Sequence, residues 1–153
     1  MLLSATQFST GGTCAIHYEE SAQWLHATWS GWIGHEEALQ GAAGYLDQVE
    51  AHPSAFLLNN NLALRGPWFN SVDWLRHAWL PQAQRLGLRY IAHVVQADKG
   101  SDILSLTQAE RMNGLLELQL FHDLAEAQDW LRSCQQQPST PSGAASLTCR
   151  QDS

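Results

Sequence analysis

The sequence predicts a single α/β domain, a mostly parallel mixed sheet with helices packed on it, in the element order ββαβαβαβα. Two observations carry this expectation. An aromatic and β-branched pair of short segments near the N-terminus reads as a hairpin, and from His35 onward strand-length apolar runs alternate with segments of 3.6-residue period. Length is compatible with it: 153 residues at 44% hydrophobic content can close one core without a metal or a disulfide framework. The boundaries expected are an extension over 1–14, the domain over 15–134 and a disordered tail over 135–153.

The hairpin pairs Ala15 to Tyr18 with Trp24 to Trp29 across the polar Glu19-Glu20-Ser21-Ala22-Gln23. From His35 to Ala51, Leu39, Ala42, Ala43, Leu46 and Val49 recur at helical spacing, Glu36 and Glu37 suit the first turn, and His52-Pro53 ends the run. Ala55-Phe56-Leu57-Leu58 is a continuous apolar run, as in a strand covered on both faces. A second helix is expected from Asn70 or Ser71 to Gly87, with Val72, Leu75, Trp79 and Leu86 inward and Pro81 kinking or dividing it. Tyr90 to Val95 is a further buried strand, Ser101 to Met112 a helix stopped by Gly114, and Leu115 to Phe121 a strand. Asp123 and Glu126 then form a D-x-x-E start for a last helix that turns Leu124, Ala127, Leu131 and Cys134 to one side. From Gln135 the composition is rich in Gln, Pro, Ser and Thr, with too little apolar surface to offset the entropy of ordering.

Several segments resemble the bacterial STAS-like domains, relatives of anti-sigma-factor antagonists associated with CRAL-TRIO-like domains. They are Trp29-Ser30-Gly31, Phe56-Leu57-Leu58-Asn59, Trp79-Leu80-Pro81, and Gly87-Leu88-Arg89-Tyr90-Ile91-Ala92-His93-Val94. The most specific, Phe121-His122-Asp123-Leu124-Ala125-Glu126-Ala127-Gln128-Asp129-Trp130-Leu131, is similar to that family's closing F-x-D-x-x-E-A-x-x-W-L motif. The likeness runs from about Ala15 to Leu131 and implies a fold rather than an activity. Where the family's regulators carry a phosphorylatable Ser in a D-x-S context, this chain reads Asn59-Asn60-Asn61, which removes the acceptor hydroxyl.

Charge narrows the partners. A formal net charge of −7 argues against nucleic acid, whose phosphates call for a basic surface. The charges are also segregated: Met1 to Leu64 holds six acids and no Lys or Arg, whereas Arg65, Arg76, Arg85 and Arg89 follow with only Asp73 among them. That arrangement fits either an internal pairing of the two segments or a site for an acidic partner. No apolar run is long enough to cross a bilayer, and Met1-Leu2-Leu3-Ser4 is followed by Ala5-Thr6-Gln7 with no basic n-region or long apolar run, so a secretory signal is not expected. Cys14, Cys134 and Cys149 are odd in number and lack CxxC spacing, which suits neither a disulfide framework nor a zinc knuckle and points to a reducing cytoplasm.

Chemistry finds little support in the motifs. The seven histidines include no pair at i and i+4 on one helix, although His17 and His26 face each other in the hairpin, so neither a metal nor a cofactor is expected. No nucleophile elbow is present, Cys14 has no activating helix terminus, and Gly11-Gly12 lacks the flanking strand and helix of a phosphate loop. The function expected is therefore a non-enzymatic regulatory module acting through a protein partner or a second copy of the chain. The alternatives are a carrier or sensor of a small apolar or lipid ligand, and a hydrolase using scattered His and acidic residues. The loop from Asn59 to Asn70 is the expected binding site, with Asn59, Asn60, Asn61, Arg65, Trp68 and Phe69 as its contacts, because it leaves the carboxyl end of a parallel strand. Regular helical geometry would leave Trp74, Ala78 and Arg85 in one sector away from the core, the expected dimer interface.

Overall fold

The computed structural model describes residues 1–67, 74–97 and 116–136. Six strands form one sheet in sequential order: β1 (Leu2–Gln7), β2 (Thr13–Glu19), β3 (Trp24–Trp32), β4 (Phe56–Arg65), β5 (Tyr90–Val94) and β6 (Glu117–Phe121). The β1–β2 and β2–β3 pairings are antiparallel, and β3–β4, β4–β5 and β5–β6 are parallel. The expected mixed α/β domain is therefore present, with one strand more than the sequence suggested. Leu2–Gln7, placed in the 1–14 extension, pairs with β2 from Leu2↔His17 to Gln7↔Thr13. The helix expected over 101–112 lies outside the described residues, as does the tail beyond Gln136.

Among the described residues three α-helices cover the sheet: α1 (His35–Ala51), α2 (Leu80–Arg85) and α3 (Leu124–Gln135). On one face, Ala38, Ala42, Tyr45 and Val49 of α1 and Leu80 and Ala83 of α2 pack against Ile16, Ala27, Leu57, Ile91 and Leu118. On the other, Ala127, Trp130, Leu131 and Cys134 of α3 meet Leu58, Ala92 and Val94. The strand period of two sorts neighbours onto opposite layers, so Leu57 and Ile91 face α1 while Leu58 and Ala92 face α3. That is why both central strands read as continuous apolar runs.

The capping chemistry of α3 matches its sequence, since the Asp123 carboxylate accepts from the Glu126 N–H at 3.1 Å. In α1 the Glu37 Oε1 accepts from the Gly34 N–H at 2.9 Å, which gives this acid a second role beyond the helix dipole. The buried stripe of α1 differs from the expected one. It runs through Ala38, Gly41, Ala42, Tyr45 and Val49, leaving Leu46 and Leu39 half-buried and Ala43 exposed. Two indoles set this rotation: Trp29 packs onto the α1 backbone at Gly41, and Trp79 Nε1 donates to the Ala42 carbonyl at 2.7 Å.

A Cβ built on Gly41 would lie 2.2 Å from the Trp29 ring. Gly41→Ala should therefore destabilise the protein by about 1–3 kcal/mol, although alanine is the better helix former by ~1 kcal/mol. Urea unfolding of the variant checks this, with a neutral or stabilising result counting against the packing described.

The second helix departs most from expectation. A π-helical turn over Leu75–Trp79 runs directly into α2, whose first turn contains Pro81. Proline cannot donate to the turn before it, and the π-helical turn immediately preceding α2 is where the regular i→i+4 ladder is interrupted. A π-turn closes at i→i+5 instead of i→i+4, so it shifts the phase of every side chain before it. Trp74, expected on the solvent side, is partly buried and packs against the principal core. Ala78 is half-buried and Arg85 exposed, so the three do not form the exposed sector on which a dimer interface was expected. Past α2, Gly87 takes φ +109°, a conformation favouring glycine, and Leu88 N–H donates to the Ala83 carbonyl at 3.0 Å, which ends the helix.

Candidate functional site

The three consecutive asparagines have turn-forming chemistry, yet they lie in β4, which extends to Arg65. Their side chains explain how a strand accommodates them. The β3–β4 register passes from Thr28↔Asn60 to Ser30↔Ala63, so Asn61 and Leu62 together oppose Trp29 in a β-bulge. Asn60 Oδ1 accepts from the Leu62 N–H at 3.1 Å, and Gln96 Nε2 donates to the Leu62 and Leu64 carbonyls at 2.9 and 3.0 Å. Side chains thus supply backbone partners that the irregular ladder withholds.

Asn59 and Asn61 turn inward. The β4–β5 register sets Asn59 beside His93, and a hydrogen-bonded chain results: Trp29 Nε1 with Asn59 Oδ1 at 3.0 Å, Asn59 Nδ2 with His93 Nδ1 at 3.0 Å, and His93 Nε2 with the Asn61 amide at 3.1 Å. Indole N–H can only donate, which fixes the Asn59 oxygen towards Trp29 and its NH2 towards His93. His93 Nδ1 must then accept, so Nε2 carries the ring proton and donates. The self-consistent arrangement rotates the Asn61 amide so that its oxygen meets Nε2, since an amide flip exchanges two atoms of nearly equal shape. The outer atom of that amide is buried without a hydrogen-bond partner. Burial lowers the His93 pKa to about 4, and the neutral tautomer is the form that the chain of donors and acceptors requires.

This chain borders a partly open cavity of about 80 Å³ between the sheet and α1. Ile16, Ala27, Leu57, Ile91, Ala38 and Leu80 make most of its wall apolar, while Asn59, Asn61, His93 and Tyr45 add polar groups. The Tyr45 hydroxyl is buried and unpartnered, and desolvation raises its pKa. Cys14 also borders the cavity, and burial pushes its thiol up to about 12, so it is no activated nucleophile.

The expected site residues are thus divided. Asn59 and Asn61 meet at the cavity, Asn60 serves the bulge, and Arg65 is exposed at the end of β4 beside Trp32, its register partner. Trp68 and Phe69 lie outside the described residues. Sequence reasoning missed Trp29, Tyr45 and His93 as members of one site. A single histidine inside the apolar run Tyr90 to Val95, and asparagines at i and i+2 continuing another such run, were the available signals.

Among the described residues the remaining titratable groups build no second centre. His17 and His26 are register partners, and His26 Nδ1 approaches Glu19 Oε1 at 3.8 Å. Burial lowers the His26 pKa, with Glu19 acting in the opposite direction. Among the described residues no three His, Cys, Asp or Glu side chains are grouped to hold a metal. Cys14 is free, as the sequence suggested, but Cys134 is disulfide-bonded, which removes the support that the cysteine pattern lent to a reducing compartment.

No family model matches the chain, and no curated protein matches it. Among solved structures it is similar to an uncharacterized protein of the DUF3478 family from Shewanella loihica PV-4, described as having a SpoIIAA-like fold. The identity is 19%, the match covers 84% of this chain and 99% of that one, and the TM-score is 0.52. The chain has a SpoIIAA-like fold. This agrees with the STAS-like architecture expected from the closing motif, and at this identity it concerns architecture alone. Within the SpoIIAA-like fold of this chain, the Asn59–Asn61 segment is strand rather than loop and offers no hydroxyl. No helix among the described residues is long and apolar enough to cross a membrane.

Proposed function

We propose that this SpoIIAA-like domain is a non-enzymatic regulatory module that works by binding a protein partner. The observation that carries the reading is the size of the interior space. A cavity of about 80 Å³ among the described residues is far below the ~300–1,000 Å³ of pockets that enclose drug-sized ligands, which favours a protein partner over a lipid at this place. Recognition then falls to the surface, and the exposed pair at the carboxyl ends of two parallel strands is its best-placed candidate. Trp32 keeps 45% of its surface exposed while its ring lies over Gly34 and Gly66, and no ion pair among the described residues engages Arg65. An aromatic beside an uncompensated guanidinium suits a partner segment carrying a carboxylate.

Affinity capture from the native cell with Arg65→Glu and Trp32→Ala variants tests this reading. A discrete partner retained by the wild type should be weakened at least tenfold by either substitution; Arg65→Glu should leave thermal stability nearly unchanged because its side chain is exposed, whereas Trp32→Ala also loses the packing over Gly34 and Gly66 and should cost about 1–3 kcal/mol. A partner captured equally by all three proteins would place recognition elsewhere.

A further inference from the structure

The cavity beside β4 has features that a protein-docking role does not use. Its wall is mostly apolar, and its polar members include a donor–acceptor chain that ends on a buried amide atom without a partner and the Tyr45 hydroxyl, likewise buried and unpartnered. Buried polar groups without partners are uncommon and costly, whereas an apolar void can simply stay dry. We propose that this cavity is a binding site for a small, uncharged oxygen compound, held through one oxygen by Tyr45 and Asn61.

Size, polarity and charge each limit the ligand. An apolar cavity of ~150 Å³ takes up benzene. By proportion, a cavity of about 80 Å³ accommodates roughly three or four non-hydrogen atoms. In the arrangement imposed by Trp29, Asn59 and His93, the Asn61 amide presents its NH2 away from His93, and a hydroxyl at Tyr45 can donate as well. Two donors suit one oxygen with two lone pairs, that of a short ketone, aldehyde or alcohol. The rest of the wall, including Leu57, Ile91 and Leu80, suits its alkyl part. Among the described residues no Lys, Arg, Asp or Glu borders the cavity, and burial favours the neutral forms of Cys14, Tyr45 and His93. A charged ligand would have to leave water without a counter-charge, which excludes carboxylates and amines of the same size. This inference stands apart from the protein partner proposed above, because it concerns the interior rather than the Trp32 and Arg65 surface.

Acetone, isobutene and acetate share one shape and differ in the acceptor and the charge, so they separate the contributions. In NMR titrations of the intact protein, acetone should shift the Asn59 and Asn61 side-chain amides and the His93 ring saturably, with a dissociation constant on the order of 1–10 mM. Isobutene should bind about three- to tenfold more weakly and acetate not detectably. Tyr45→Phe, which removes an unpartnered hydroxyl and should fold normally, is expected to weaken acetone about three- to tenfold while sparing isobutene. Asn61→Ala provides a second variant with the same expected selectivity. Equal affinity for acetone and isobutene would reduce the site to an apolar void, and binding of acetate would overturn the charge argument. Unsaturable shifts, with ordered waters filling the cavity in a crystal structure, would establish internal hydration only and overturn the proposal.

Discussion

Lowering the pH from 7 to 4 should remove about 3 kcal/mol of folding stability through His93 alone. The folded state holds this imidazole neutral until about pH 4, whereas an unfolded chain protonates it near the ordinary histidine value of 6.5. Between those values the unfolded state binds more protons, so stability falls as pH falls. Above about pH 7 and well below pH 4 the contribution is flat. The direct cause is burial, and the hydrogen-bond chain acts in the same direction, since a proton on Nδ1 would face the NH2 that Asn59 directs at it. Urea midpoints at pH 7 and 4 measure the loss, and His93→Gln, which cannot titrate, should lose most of the dependence. An equal pH response in wild type and variant would remove His93 as its source.

Replacing Asn59 by leucine should cost about 4 kcal/mol despite the close match in size. The substitution strands two buried partners at once, the Trp29 indole N–H and His93 Nδ1, each worth about 1–3 kcal/mol when left unsatisfied. Asn60→Leu, one residue away, loses only the contact to the Leu62 N–H, which is solvent-exposed, and should cost about 1 kcal/mol or less. Chemical denaturation of the two variants side by side checks the contrast. Similar losses would mean that the inward chain contributes no more than a turn-like contact at the bulge.

The difference between these neighbouring asparagines shows where the sequence stops being legible. Three in a row are a turn signal when read locally, and the same triplet sits in a strand because the bulge opposite Trp29 and the side chains of Asn60 and Gln96 satisfy the backbone. Tyr45 was hidden for a related reason. The stripe expected on α1 weighted Leu39 and Leu46, whereas Gly41 and Ala42 face the core because two indoles need small neighbours there. Trp74 was misplaced by the assumption of α-helical phase through a segment that makes a π-turn.

What the sequence determined by itself was the alternation of elements, the sidedness of the central strands and the start of α3. Those features rest on periodicity and capping, which act between residues close along the chain. Tertiary structure alone decided that Trp29, Asn59, His93 and Asn61 form one chain of hydrogen bonds beside a cavity. Their meeting depends on strand register, and register is set by packing and pairing between segments that lie about 30 residues apart, which no local pattern encodes.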